Sequence, residues 1–217
     1  QLSMESMEQQ DWSAAWREFF TPISIGGRFE ILPPWLKDND CHGREPILIE
    51  PKMAFGTGHH ATTALCLGGI AEMVANGRLT GESRFLDLGT GSGILAISAV
   101  RLGAASVLAL DTDPVAVEVA AANVAANGLA ERIEVGLGSL PLPSARAFPV
   151  VVANIIARVI AALAGELASA VAPGGTLIAS GIIAEREPEV VAALSGAGFA
   201  LADRLQDGDW VALIAHR

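Results

Sequence analysis

Beyond Thr80 the chain alternates between short runs rich in Val, Ile and Leu and longer Ala-rich stretches with helical spacing. Apolar runs bounded by Gly, Pro, Asn or Asp read as buried strands, and the longer periodic stretches as helices. Strands are expected at Arg84–Leu88, Ser106–Leu110, Ile133–Val135, Pro149–Ala153, Thr176–Ser180, Phe199–Leu205 and Trp210–His216, and helices at Ile94–Leu102, Pro114–Asn127, Ile156–Val171 and Glu187–Ser195. Pro114 in a first turn, Gly128 just past an end and Pro173-Gly174-Gly175 after another helix punctuate the pattern. Asp207-Gly208 between the last two strands is a hairpin signal, so the final strand should run antiparallel to its neighbour. Repeated strand–helix units closed by a hairpin predict an α/β fold: a doubly wound, mostly parallel, Rossmann-like sheet with a C-terminal antiparallel strand.

Residues 1–50 are less regular, and they are expected to form a linker, a helix and a short strand packing on the core domain of residues 51–217. Trp12, Ala15, Trp16, Phe19 and Phe20 recur at helical spacing. They predict a short helix laying Trp16 and Phe20 on the main domain, with a partner-docking face as the alternative. Pro33-Pro34 interrupts the chain, and Ile47-Leu48-Ile49 reads as a short strand.

Composition narrows the class. Hydrophobic residues make up 51% of the 217 and charged ones 18%, enough for a sizeable core and too apolar for disorder. Mean hydropathy is +0.44, yet no run approaches the ~18 uninterrupted apolar residues of a membrane-spanning helix. Aromatics are only 5%, which suits a buried parallel sheet under Ala-rich helices. A net charge of −10 opposes a phosphate backbone and so argues against direct nucleic-acid binding, leaving basic proteins or cationic substrates as partners. Cys41 and Cys66 encode neither a disulfide scaffold nor a zinc site, and a cytoplasmic protein without a membrane association is expected. The first residue is Gln, which suggests a chain trimmed upstream.

The first regular strand runs into Asp87-Leu88-Gly89-Thr90-Gly91-Ser92-Gly93 and a helix follows at once. Glycines at alternate positions let backbone approach a ligand closely. The spacing is G-x-G-x-G, not the G-x-G-x-x-G that seats a pyrophosphate. Asp111 ends the next strand, about 20 residues on, placed to accept from the hydroxyls of a ribose. Together these point to a nucleoside cofactor, against the plainer reading of a tight turn and a capping acid. A nicotinamide-dependent oxidoreductase fits the spacing less well.

Asn154 ends a later strand, where the carboxyl ends of the sheet line a crevice. It is suited to hold and aim a substrate amine; the alternative is a helix N-cap. Ile155-Ile156 follow it and provide no aromatic platform for an extruded base, which disfavours base flipping. Upstream, Phe55-Gly56-Thr57-Gly58-His59-His60-Ala61-Thr62-Thr63 is too polar for a core turn. Thr62 or Thr63 suits a helix cap or a ligand contact, and Phe55, Thr57, Gly58 and Thr63 are candidates for closing over the cofactor. The adjacent histidines lack metal-pair spacing, so no metal is expected.

Met53-Ala54-Phe55-Gly56-Thr57-Gly58 with His60 and Thr62-Thr63, the segments LDLGTGSGILAI and VANIIA, and Asp111-Thr112-Asp113-Pro114 together resemble the PrmA family. These are class I S-adenosylmethionine-dependent methyltransferases that act on ribosomal protein L11. The resemblance implies that S-adenosylmethionine is the cofactor and S-adenosylhomocysteine its product, with contacts at Thr63, Gly89, Asp111 and Asn154. It also implies N-methylation of protein amines, with ribosomal protein L11 as substrate. The chain departs from the family pattern at His59, Ala61 and Glu50-Pro51-Lys52, and has no room for the family's N-terminal substrate-binding domain. Another protein or a small-molecule amine is the alternative acceptor, and a non-catalytic nucleoside-binding module a more distant one. On this reading Asn154 orients the amine, His59 or His60 relays its proton, and Phe55, Thr57, Gly58, Thr63, Asp87, Gly89, Gly91, Gly93, Asp111 and Asn154 surround the cofactor.

Overall fold

The computed structural model describes residues 22–25, 27–50, 60–144 and 146–217. The aromatic stripe from Trp12 to Phe20 lies outside the described residues. Among the described residues, ten strands are arranged in two sheets. Strands β1 (Ile23–Ile25), β2 (Phe29–Leu32) and β3 (Glu45–Leu48) form a small sheet, β1 antiparallel and β3 parallel to β2. This sheet was not legible in the sequence, where only a strand around Ile47 stood out. Its residues alternate poorly, because all four positions of β2 are buried. Pro34–Leu36 between β2 and β3 forms a 3₁₀ turn, as a prolyl first position allows.

The larger sheet holds β4 (Arg84–Leu88), β5 (Ser106–Asp111), β6 (Ile133–Leu137), β7 (Phe148–Asn154), β8 (Val171–Ile183), β9 (Ala200–Asp207) and β10 (Trp210–His216). Their order is β6-β5-β4-β7-β8-β10-β9. Strands β4 to β8 pair in parallel, and β10 runs antiparallel to both β8 and β9. The Rossmann-like sheet with an antiparallel C-terminal strand is therefore the fold. Helices α1 (Ala61–Ala75), α2 (Ile94–Arg101) and α3 (Pro114–Ala126) precede β4, β5 and β6, and α4 (Ala157–Ala162), α5 (Ala164–Ala170) and α6 (Glu187–Gly196) follow β7 and β8.

Side chains alternate across the sheet. Phe85, Val107, Val150, Val152 and Ile178 face one way and pack with Leu67 and Ile70 of α1, Ile97 of α2 and Val124 of α3. Leu86, Leu88, Val151, Ala153 and Leu177 face the other way against Ile160, Leu167, Val190 and Leu194. Each fully buried Leu, Ile or Phe contributes about 1.5–3 kcal/mol, so both faces must be covered for the parallel strands to persist. Phe29, Ile31 and Ile47 of the small sheet join the first cluster.

Two local expectations need correction. The helix expected over Ile156–Val171 is two helices, because Leu163 (φ −94°, ψ 9°) breaks the turn between α4 and α5, and Val171 already begins β8. Its alanine-rich text carries no proline there, and Gly165, two residues on, is only a weak breaker. Helix α1 is capped by His60 and not by Thr62 or Thr63: the His60 ring accepts from the Thr62 N–H, while both threonines are buried inside the first turn.

Candidate active site

Strands β5 and β7 flank β4 on opposite sides, so the chain's winding reverses at β4 and leaves a crevice at the carboxyl ends of these strands. A cavity of about 240 Å3 fills it, lined by Gly89, Thr90 and Gly91 after β4, Asp111 and Thr112 at the end of β5, Gly138 and Ser139 after β6, Asn154 and Ile155 at the end of β7, and Thr63 of α1.

The floor of this cavity is the glycine-rich turn. Gly89 and Thr90 donate to Leu110 O at 2.8 and 3.0 Å, which fastens the turn to the end of β5. Gly89 has φ +75°, and a Cβ there would collide with Cγ2 of Ile155. Only glycine lets Ile155 lie against the turn. Asp111 receives the Gly91 N–H on Oδ2 at 2.9 Å and the Asp113 N–H on Oδ1 at 3.0 Å. A carboxylate has about four lone-pair sites, so both oxygens retain capacity toward the cavity.

Asp87 and Gly93 stand behind the turn. Asp87 is fully buried, accepts the Thr90 hydroxyl at 2.7 Å on Oδ2, and is absent from the cavity wall. Burial pushes its carboxyl up to about 6, with the Asp111 charge adding to that and the Thr90 hydrogen bond opposing it. Gly93 rests on Ala120 of α3, 3.4 Å from where its Cβ would be.

Two residues of the cavity wall carry a buried polar atom without a partner among the described residues: Oγ1 of Thr63 and Oδ1 of Asn154. Leaving a buried acceptor unpaired costs about 1–3 kcal/mol, so such atoms mark places where a ligand completes the hydrogen bonding. The N-cap alternative for Asn154 is excluded, because α4 has Ile156 as its N-cap and no side-chain cap.

A second cavity, of about 480 Å3, adjoins the first at Asn154. Thr112, Asn154, Ile155 and Val159 line both, and His60, Thr62, Ile156, Gly181 and Trp210 complete the second. The His60 and Trp210 rings meet edge to face with centroids 4.7 Å apart, and Thr62 Oγ1 lies 2.8 Å from His60 Nδ1. Gly181 has φ +83°, and a Cβ there would run into the carbonyl oxygen of Ile155.

The structure thus gathers Thr63, Gly89, Gly91, Asp111 and Asn154 on one cavity and His60 on the adjoining one. Phe55, Thr57, Gly58 and His59 lie outside the described residues. Sequence reasoning missed Ser139 and Trp210. The rule that strand carboxyl ends line the crevice would have found Ser139 once β6 was extended to Leu137. Trp210 carries no local signal: it begins the antiparallel β10, paired opposite Ile183 at the end of β8, so only reversed strand direction brings it to this edge. Among the described residues, no group of His, Cys, Asp and Glu could hold a metal ion, and no helix is long and apolar enough to cross a membrane.

Comparison with known proteins agrees with this geometry. A ribosomal protein L11 methyltransferase from Pelotomaculum thermopropionicum is 45% identical over 99% of this chain and 68% of its own length. One from Chloroflexus aurantiacus is 40% identical over the full chain and 72% of its own length, so this chain spans about two thirds to three quarters of these relatives. The crystal structure of the ribosomal protein L11 methylase from Lactobacillus delbrueckii subsp. bulgaricus superposes with a TM-score of 0.82 at 33% identity, covering 91% of this chain and 99% of that one. At the level of fold alone, an RNA methyltransferase from Salinibacter ruber in complex with S-adenosyl-L-homocysteine superposes with a TM-score of 0.55 at 19% identity, covering 69% of this chain and 90% of that one. The family model described as ribosomal protein L11 methyltransferase (PrmA) matches residues 1–217, and this chain belongs to that family of S-adenosylmethionine-dependent methyltransferases.

Proposed function

We propose that this chain methylates amine nitrogens of ribosomal protein L11, with residues 51–217 as the catalytic unit and residues 1–50 packing on it. The observation that carries the reading is Asn154, which lines both cavities and whose Oδ1 is buried without a partner among the described residues. When bound, S-adenosylmethionine supplies a methyl group already activated by its sulfonium charge. The protein's task is then alignment and removal of a proton.

The smaller cavity suits the cofactor. Asp111 has lone pairs left for ribose hydroxyls, Thr63 Oγ1 lacks a partner, and the bare backbone at Gly89 and Gly91 allows close approach. The larger cavity suits the acceptor. A lysine amine, with an ordinary pKa near 10.4, costs roughly 4–5 kcal/mol to deprotonate at pH 7. The apolar wall of Ile155, Ile156, Val159 and Trp210 disfavours the ammonium form and reduces that cost. Asn154 Oδ1 accepts an N–H from the neutral amine and turns its lone pair toward the smaller cavity. His60, held by Thr62 and Trp210, stands on the acceptor wall and takes the role of proton relay. A ribosomal protein substrate goes with action in the cytoplasm, and the net charge of −10 suits a cationic target.

Calorimetry with S-adenosylhomocysteine, followed by tritiated-methyl transfer to ribosomal protein L11, tests this. Binding with transfer is expected. Binding without transfer to this protein, but with transfer to another amine, would move the substrate assignment; no binding would remove the cofactor from the site.

A further inference from the structure

We propose that Asn123, on the buried face of α3 and outside both cavities, is a positioning residue that sets the cofactor affinity by holding the glycine-rich turn in its binding shape. The inference rests on the assignment of the smaller cavity to the cofactor.

Asn123 is 1% exposed, and its amide is used at both ends. Nδ2 donates to Ser92 O at 2.8 Å, inside the turn, and Oδ1 accepts the Glu50 N–H at 2.9 Å, just beyond β3. The Ser92 carbonyl is thereby tied to α3. The end of β5 and helix α3 then hold the turn at two separate points. At its start, Asp111 and Asp113 precede the first turn and Asp111 takes the Gly91 N–H. Further along, Asn123 takes the Ser92 carbonyl, while Gly93 lies on Ala120 between them. The three glycines would otherwise leave this segment its widest choice of conformations, and ordering it only on binding would subtract from affinity.

Asn127 provides the control. One helical turn on, it accepts the Leu48 N–H at 3.0 Å and donates to Leu48 O at 2.7 Å, so it holds the same strand end. It also donates to Asn123 O at 2.8 Å, but makes no bond to the glycine-rich turn. The two asparagines therefore share the docking of residues 48–50 on α3, and of the two only Asn123 reaches Ser92, while Asn127 closes the helix end and its carbonyl accepts from Arg101.

The test is titration calorimetry of S-adenosylhomocysteine into the full chain carrying Asn123→Ala, Asn123→Ser or Asn127→Ala, with thermal melts of each. Wild-type binding is the reference that distinguishes failure of this inference from failure of the cofactor assignment. Both Asn123 variants should raise Kd at least tenfold, whereas Asn127→Ala should lower Tm comparably and shift Kd less than threefold. In turnover assays the same split should appear as a raised KM for S-adenosylmethionine with kcat within threefold. If Asn123→Ala does not fold, Asn123→Ser decides alone. Wild-type Kd in a folded Asn123 variant, or an equal rise in Asn127→Ala, would overturn the inference and leave Asn123 a purely structural clamp.

Discussion

The Gly91 amide donates to Asp111 Oδ2 at 2.9 Å, so the turn after β4 and the acid ending β5 form one hydrogen-bonded unit. Asp111→Ala removes this bond together with the acceptors offered to a ribose. Hydrogen bonds to charged groups are worth about 1.5–3 kcal/mol each. Affinity for S-adenosylhomocysteine should therefore fall by at least about 100-fold. Calorimetry reads this directly, and a Kd within threefold of wild type would remove Asp111 from the site.

Asn154 is expected to separate turnover from cofactor binding. Asn154→Ala should lower kcat by about 100-fold, the scale of a misaligned reacting group, with a smaller effect on the Kd of S-adenosylhomocysteine. Asn154→Asp tests the chemistry differently. A carboxylate there would favour the ammonium form of the acceptor, so the rising limb of the pH–rate profile should move to higher pH. A profile unchanged from wild type would argue that Asn154 does not touch the amine.

Gly89 and Gly181 both face Ile155, but not the same part of it. A Cβ on Gly89 meets the Ile155 side chain, whereas a Cβ on Gly181 meets its backbone carbonyl. Both substitutions to Ala should destabilise, by about 1–3 kcal/mol for crowding and positive φ combined. Adding Ile155→Ala should recover part of the loss in Gly89→Ala and none in Gly181→Ala. Equal recovery in thermal melts would show that the clash with the side chain is not the cause.

Asp87 should leave a signature in the pH dependence of stability. Its carboxyl is raised from 3.8 to about 6 by burial, so the folded state binds a proton that the unfolded chain has already released. The corresponding contribution is fully present below pH 4 and lost as pH rises through 6, a change of ~3 kcal/mol. Denaturant unfolding of wild type and Asp87→Asn between pH 4 and 7.5 should show wild type losing stability relative to the variant over that window. A constant difference would mean that Asp87 releases its proton in the folded protein at the same pH as in the unfolded chain, and that burial does not raise its pKa.

The parallel strands, the hairpin at Asp207-Gly208 and the acid at Asp111 were readable because each is a local matter: apolar runs of strand length, turn chemistry, and a polar residue at a strand end. The small sheet over Ile23–Leu48 was not, since its strands are three or four residues long and β2 is buried at every position, so no alternation marks it. The break at Leu163 was likewise hidden in alanine-rich text that suits a helix on either side.

The sequence by itself determined the fold class, the G-x-G-x-G turn and the family resemblance, because hydrophobic period and glycine spacing act over a few neighbouring residues. Tertiary structure alone decided that Asn154 lines two cavities with an oxygen buried and unpaired among the described residues, that Asp87 stands behind the turn, and that Trp210 faces His60. Those facts depend on strand order and on the reversed direction of β10, which bring together residues far apart in the chain.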